Sequence, residues 1–353
     1  MHFSTFSAVA ALVALTAAHP GHDLIAEIAE RAIFKQASRR NDLSHCSSQL
    51  KARGIEQRNL ARRSQAVQGL RKRSLESDLA SDHNTTTLGY TKSTAGSTIF
   101  ASNSSCVLTP EVTDGPYYVT GEYVRKNIVE YQAGVPITFD YQVLDVDTCE
   151  PVPDVYVEIW HCNATGVYSG VDSPQGGLDA TWLRGIQLTD NEGVAQFDSI
   201  FPGHYTGRAT HIHVLVHQNA TIYRNGTLGH DALATHVGQA FFDQTLISAV
   251  ESASPYTLNE QALTENSADD ILASEAATEG VDPIMQYTLL GNDVSEGIFA
   301  WLSFSVNVTA ASNAGAAAIY YAGGGITNPD GPPAVGPSKG NSTTSAAPTS
   351  ADA

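Results

Sequence analysis

Apolar and polar residues alternate in Ile137-Thr-Phe-Asp-Tyr-Gln-Val143. That period of two belongs to a strand with one face in a core and the other in water. A second run, Val155-Tyr-Val-Glu-Ile-Trp-His161, follows the turn residues Asp-Thr-Cys-Glu-Pro-Val-Pro-Asp154, so the two runs predict a hairpin. Gly185-Ile-Gln-Leu188 and Val194-Ala-Gln-Phe197 flank Thr189-Asp-Asn-Glu-Gly193 and predict another. The β-branched stretch Ile212-His-Val-Leu-Val216 comes next, then Gln239-Ala-Phe-Phe242 and a closing run over 298–306. Many short strands joined by turns imply a mainly β fold, a β-sandwich core with long loops, over 106–310. The period changes near the N-terminus. Leu24, Ile25, Ile28, Ala29, Ala32 and Ile33 recur at helical spacing beside Glu27, Glu30 and Arg31, which predicts a helical N-terminal arm.

Between these patterned regions, residues 74–105 are rich in Ser, Thr, Asn and Gly and read as a linker. Residues 244–282 are acidic and rich in Ala, Ser and Leu, expected to be partly helical or looped. Residues 322–353 carry Gly-Gly-Gly, Pro-Pro and many Ser and Thr, and read as a disordered tail. No internal repeat is present.

Charge divides the 353-residue chain. Residues 1–73 hold 12 of the 19 Lys and Arg but 5 of the 37 Asp and Glu, a net +7, which leaves the rest at −25. A body so acidic repels phosphate backbones and argues against a nucleic-acid partner. Residues 1–18 read as a secretory signal, because the apolar run from Phe6 is too short for a membrane span and ends in small residues. No later run approaches a span, so no membrane partner is expected. Sequons at Asn84, Asn103, Asn163, Asn219, Asn225, Asn307 and Asn341 agree with export and glycosylation, and place the protein outside the cell. Within the basic segment 19–73 stand Arg39-Arg40, Arg62-Arg63 and Lys72-Arg73, processing points if the segment is a pro-segment. The alternative is a retained arm that packs on the body or on a second subunit, forming a homodimer; Cys46 within it favours retention. In an exported chain, Cys46, Cys106, Cys149 and Cys162 suggest two disulfides. About eight strand residues, roughly 25 Å, separate Cys149 from Cys162, which makes that pair the least favourable. A buried free thiol at Cys162 stays open.

The candidate chemistry lies between these strands. His211 and His213 sit two apart on a β-branched run, so both imidazoles share a face and can meet one metal ion. Tyr205 stands six residues before His211, in the preceding turn, and Tyr168 follows a glycine in Trp160-His-Cys-Asn-Ala-Thr-Gly-Val-Tyr168. Alone, a His-X-His pair on a strand more often packs or faces water than binds a metal; the joint placement of two phenols and two imidazoles points to a hard cation. Phenolate oxygen suits Fe(III) better than zinc or copper. No Gly-X-Ser-X-Gly elbow suggests a serine hydrolase.

These segments resemble the intradiol ring-cleavage, catechol-type dioxygenases, in particular their secreted fungal members. The resemblance is carried by Thr-Asp-Gly-Pro-Tyr-Tyr118, Trp160 to Ser169, Leu-Arg-Gly-Ile-Gln-Leu-Thr-Asp190, Phe-Asp-Ser-Ile-Phe-Pro-Gly-His-Tyr205 and Arg208-Ala-Thr-His-Ile-His213, and it covers about 106–310. It implies a non-haem Fe(III) held by Tyr168, Tyr205, His211 and His213, and an oxidoreductase opening a small aromatic diol with O2. It further implies that Tyr205 takes a substrate proton, that Arg208 stabilises charge on the substrate ring, and that Gln239 stands near that arginine. Tyr117 would line the pocket, bordered by Trp182, Leu183 and Arg184. A different class remains in view: a secreted β-sandwich binding module with a non-catalytic Tyr/His metal site.

Overall fold

The computed structural model describes residues 44–73, 116–173, 175–230, 232–276, 282–309 and 314–331. The expected signal segment, the helical pattern over 24–33, the expected linker, Cys106 and three of the sequons lie outside them. Two helices, α1 (Ser47–Ala52) and α2 (Ile55–Arg73), precede a β-sandwich. Its strands are β1 (Val119–Thr120), β2 (Pro136–Asp145), β3 (Tyr156–Trp160), β4 (Arg184–Leu188), β5 (Val194–Ile200), β6 (His211–Gln218) and β7 (Leu233–Phe241). After helices α3 (Gln244–Glu251) and α4 (Asp270–Ala276) come β8 (Gln286–Leu289), β9 (Ile298–Val306), β10 (Ala318–Tyr321) and β11 (Gly324–Thr327). Among the described residues no helix is long and apolar enough to cross a membrane.

Two four-stranded sheets face one another, in orders β5-β2-β9-β8 and β4-β3-β6-β7. Inward residues from both fill one core, among them Phe139, Tyr141, Val143, Ile159, Phe197, Val214, Leu302 and Phe304. Helix α3 closes one end of it with Leu246, Ile247 and Val250, its first turn capped by Asp243, whose Oδ1 accepts from Leu246 N at 2.8 Å.

Both predicted hairpins are corrected. β2 pairs with β5 and β9, whereas β3 pairs with β4 and β6, so the turn after β2 crosses from one sheet to the other. The turn between β4 and β5 crosses back. Strand periodicity specifies which face a residue takes and leaves the partner strand open. The second corner needs its glycine: Gly193 has φ +72°, its carbonyl accepts from Val143 N at 2.8 Å, and a Cβ there would strike the Val143 carbonyl.

The polar face of β2 is not in water either. Thr138, Asp140 and Gln142 are all buried, because α2 lies across them. Arg62 and Arg63 both pair with Asp140, Arg63 Nε at 3.1 Å from Oδ1, while Asn59 Nδ2 donates to Gln142 Oε1 at 2.6 Å. Arg63 also reaches Ser303 on β9. Val67 adds apolar contact with Leu290, Phe299 and Trp301. Arg62-Arg63, read as a processing point, is thus the clamp that docks the arm on its own body. A Cys46–Cys149 disulfide, Cα atoms 5.3 Å apart, ties the arm a second time. Cys162 is a buried free thiol, so the expected pair of disulfides reduces to this one among the described residues.

The boundary at 310 also moves. β10 runs parallel to β1 and pairs with β11, a third sheet made by residues that composition had assigned partly to the tail. Ordered structure therefore reaches Gly331. The tail reading failed there because glycine permits a tight turn as readily as disorder.

Asp140→Ala leaves Arg63 buried without its counter-ion and should cost about 3–5 kcal/mol in urea unfolding. Glu150→Ala, at the exposed Arg53 pair, should cost under about 1 kcal/mol in the same assay. Equal losses would contradict the docking argument. A pH prediction comes from the core. His236 is fully buried against Phe304, neither ring nitrogen has a hydrogen-bond partner among the described residues, and burial depresses it from 6.5 to about 3. Burial likewise lowers His161 to about 4. Both are neutral when folded and charge more readily when unfolded, so their contribution is complete above about pH 6.5 and is lost as pH falls towards 3. His236→Phe should flatten that acid limb of a stability–pH curve; an unchanged slope would count against it.

Candidate metal centre

The outward face of the second sheet carries the site. In register across β4, β3, β6 and β7 stand Arg184, Trp160, His213 and Gln239, one residue per strand. His211 follows two residues away on the same face, opposite Phe241. The Trp160 indole lies parallel to the His213 ring at 4.8 Å with 2° between planes, which fixes that imidazole's orientation.

Two loops deliver the phenols. After β3, Asn163 Oδ1 accepts from Thr165 N, Thr165 Oγ1 and Val167 N at 3.0 Å each, curling the chain so that Tyr168 turns inward. Its Nδ2 donates to Gln132 at 3.1 Å, so this sequon's side chain is consumed internally. After β5, residues 201–205 pack on that loop backbone to backbone. Gly166, φ +77°, faces the His204 carbonyl, where any Cβ would collide.

The four side chains converge, all buried to 4 % exposure or less. His211 Nδ1 donates to the Ala209 carbonyl at 2.6 Å, which sets the tautomer and leaves Nε2 with its lone pair facing inward. That Nε2 lies 3.2 Å from His213 Nε2 and 3.2 Å from Tyr205 Oη. Tyr168 Oη is buried without a hydrogen bond of normal length among the described residues. Two ligands bound at about 2.1 Å and at right angles around one ion would stand ~3 Å apart, so the spacing fits a single cation. Charge agrees. Burial first, then the neighbouring phenols and Cys162, push Tyr168 and Tyr205 well above the ordinary phenol range, with Arg208 opposing. Left alone both phenols stay neutral; a trivalent cation would displace their protons. The donor set fits Fe(III).

Around this centre Tyr117 stacks on Tyr168 at 4.4 Å and meets Tyr205 edge-on at 6.0 Å. Burial pushes its phenol up to about 12. Val119, Leu215, Val237, Ala316 and Ala318 complete a mainly apolar wall, the last two from beyond the expected domain boundary. Arg208, fully buried, donates from Nη2 to Gln239 Oε1 at 2.6 Å and from Nε to Asp269 Oδ2 at 2.9 Å. Burial alone would raise Asp269; the Arg208 guanidinium and hydrogen bonds from Leu272 and Ala209 hold its carboxyl below the ordinary range.

Trp182, Leu183 and Arg184 do not join the four ligands. Trp182 and Leu183 pack with Ile200 in a separate apolar cluster, and the Arg184 guanidinium turns to the Ser169 carbonyl at 2.6 Å. Arg184 thereby braces the residue after Tyr168. Reasoning from residues missed Asp269 and Trp160. The only signal for Asp269 was Asp-Asp-Ile-Leu, a helix start, which gives no hint of Arg208. Trp160 could have been found, since it shares the outward period of β3.

Comparison with known proteins finds dioxygenases. A family model described as Dioxygenase matches residues 113–225. Catechol 1,2-dioxygenase of Acinetobacter baylyi is 27% identical over 224 residues, covering 57% of this chain and 62% of that protein. The enzyme of the same name from Pseudomonas sp. (strain EST1001) is 27% identical over 214 residues, with 62% of it covered. The chain thus spans about three fifths of the length of these curated relatives. Among solved structures, an intradiol ring-cleavage dioxygenase from Tetranychus urticae is 30% identical, with 59% of this chain and 98% of that one covered and a TM-score of 0.49. A second dioxygenase crystal structure gives the same identity and coverage with a TM-score of 0.50. The second of these structures, 30% identical and covered to 98%, joins the family model and the catechol 1,2-dioxygenase relatives in one statement: the chain belongs to the intradiol ring-cleavage dioxygenase family.

Proposed function

We propose that this protein is an extracellular non-haem Fe(III) intradiol dioxygenase acting on catechol-type aromatics. The observation that carries the reading is the convergence of His211 Nε2, His213 Nε2 and Tyr205 Oη within 3.2 Å steps, beside the buried Tyr168 hydroxyl. Tyr168, Tyr205, His211 and His213 would hold the ion, which when bound supplies a Lewis acid for the diol oxygens and a template for O2.

Each surrounding residue has a part that follows from its place. Tyr205 Oη, 3.2 Å from His211 Nε2, is the phenol assigned to turn away and accept a proton from one substrate hydroxyl. Tyr117 and the apolar wall suit a flat aromatic ring and exclude water from it. Arg208, buried and aimed by two partners, stabilises negative charge gathering on the ring, at a typical few kcal/mol for such a donor. The carbon–carbon bond between the hydroxyl-bearing atoms breaks, both atoms of O2 enter the product, and a muconate-type diacid leaves. Secretion is supported by the signal-like N-terminus, the Cys46–Cys149 bridge and the exposed sequons at Asn219 and Asn225. A metal-binding module without catalysis would share the four ligands but consume no O2.

Iron-loaded protein should be coloured by charge transfer from tyrosinate, and should consume one O2 per catechol with intradiol product only, read by an oxygen electrode and mass spectrometry. Extradiol product, or iron binding without O2 uptake, would overturn the proposal. Tyr168→Phe should lose the colour or the iron. Arg208→Ala should keep both and lower kcat about 10²-fold; full turnover in either variant removes that residue from its role.

A further inference from the structure

Asp269 sits just before α4, in the acidic stretch that connects the two halves of the sandwich, 61 residues from Arg208 in sequence. Its carboxylate is almost wholly buried and every hydrogen bond it makes is directed. Oδ2 accepts from Arg208 Nε at 2.9 Å and from Ala209 N at 2.7 Å; Oδ1 accepts from Ile271 N and Leu272 N, both at 2.9 Å. One oxygen therefore grips the loop before β6, and the other is anchored by the first turn of α4. Ala209, whose N–H is gripped, offers its own carbonyl to His211 Nδ1 at 2.6 Å. A single carboxylate thus fixes the Arg208 fork and, through one peptide unit, the acceptor that orients a proposed iron ligand.

The charge argument is as specific as the geometry. Arg208 is fully buried, and Gln239, to which it also donates, is neutral. A buried guanidinium needs a paired anion, and Asp269 supplies one, hydrogen-bonded to Nε. An arginine held along its Nε edge by a carboxylate that is itself helix-anchored cannot swing as a free side chain would. We propose that Asp269 is the positioning residue for Arg208, so that α4 sets the aim of the charge-stabilising arginine. The proposal rests on the ring-cleavage reading above for its kinetic arm, and its structural arm stands apart from that reading.

Asp269→Asn keeps an oxygen for the α4 N–H groups but presents Arg208 with an uncharged partner. In the iron-loaded full chain it should retain iron and colour, keep KM for catechol within about threefold, and lower kcat about 10²-fold, the usual consequence of an aim lost by an ångström. Arg208→Gln and the double variant Arg208→Gln/Asp269→Asn should then have equal kcat within about threefold, since without Arg208 there is nothing for Asp269 to aim. Asp243→Asn, the same change at the α3 cap, should leave kcat unchanged and so separates loss of a capping charge from loss of aim. A crystal structure of Asp269→Asn should show the Arg208 fork displaced from Gln239. Wild-type kcat in Asp269→Asn, a further large fall in the double variant, or an undisplaced Arg208 in the crystal would each overturn the proposal. If Asp269→Asn alone does not fold, the comparison of the two Arg208→Gln proteins decides. If the wild type cleaves no catechol, the ring-cleavage reading fails by itself and the crystal structure still judges the Asp269–Arg208 assignment.

Discussion

In-register pairing of β3, β6 and β7 is the constraint on which the rest of the structure depends. It brings Trp160, His213 and Gln239 into one row on the outward face, and puts His211 one pleat further along. A slip of one residue would turn both imidazoles into the sandwich core and deliver Val or Ile to the site instead. The inner face prevents that slip, because Ile212, Val214 and Val216 are locked into the same core as Phe139, Leu302 and Phe304. Hydrophobic packing on one side of β6 therefore sets the polar arrangement on the other.

Loops complete what the sheet begins. Tyr168 and Tyr205 arrive from connections that no strand pairing controls, and their meeting is enforced by backbone contact around Gly166 and Gly203. Rigid imidazoles on a strand and phenols on glycine-pinned loops divide the work between permanence and mobility. That division suits the proposed centre, in which Tyr205 gives way to substrate while the other three side chains stay.

Legibility in the chain followed the range of the interaction. His211 and His213 were readable because strand geometry places residues two apart on one face with no tertiary information. The strands themselves were readable for the same reason. Both hairpins were misread, since alternation in β2, β3, β4 and β5 is satisfied equally within a sheet or between two. The polar residues Thr138, Asp140 and Gln142 looked like a solvated face; only the docked α2 reveals them as partners for Arg62, Arg63 and Asn59. Asp269 stayed hidden because its meaning lies in a residue 61 positions away, and the packing of Trp182 and Leu183 on Ile200 depends on tertiary contacts that adjacency to a motif does not show.

The docked arm has a practical consequence for anyone shortening the chain. A recombinant protein begun after residue 73 would expose Asp140 and Gln142, now covered, and would leave Cys149 without Cys46, its disulfide partner. Residues that by composition resemble a disposable leader are, beyond Cys46, an outer layer of the sandwich itself.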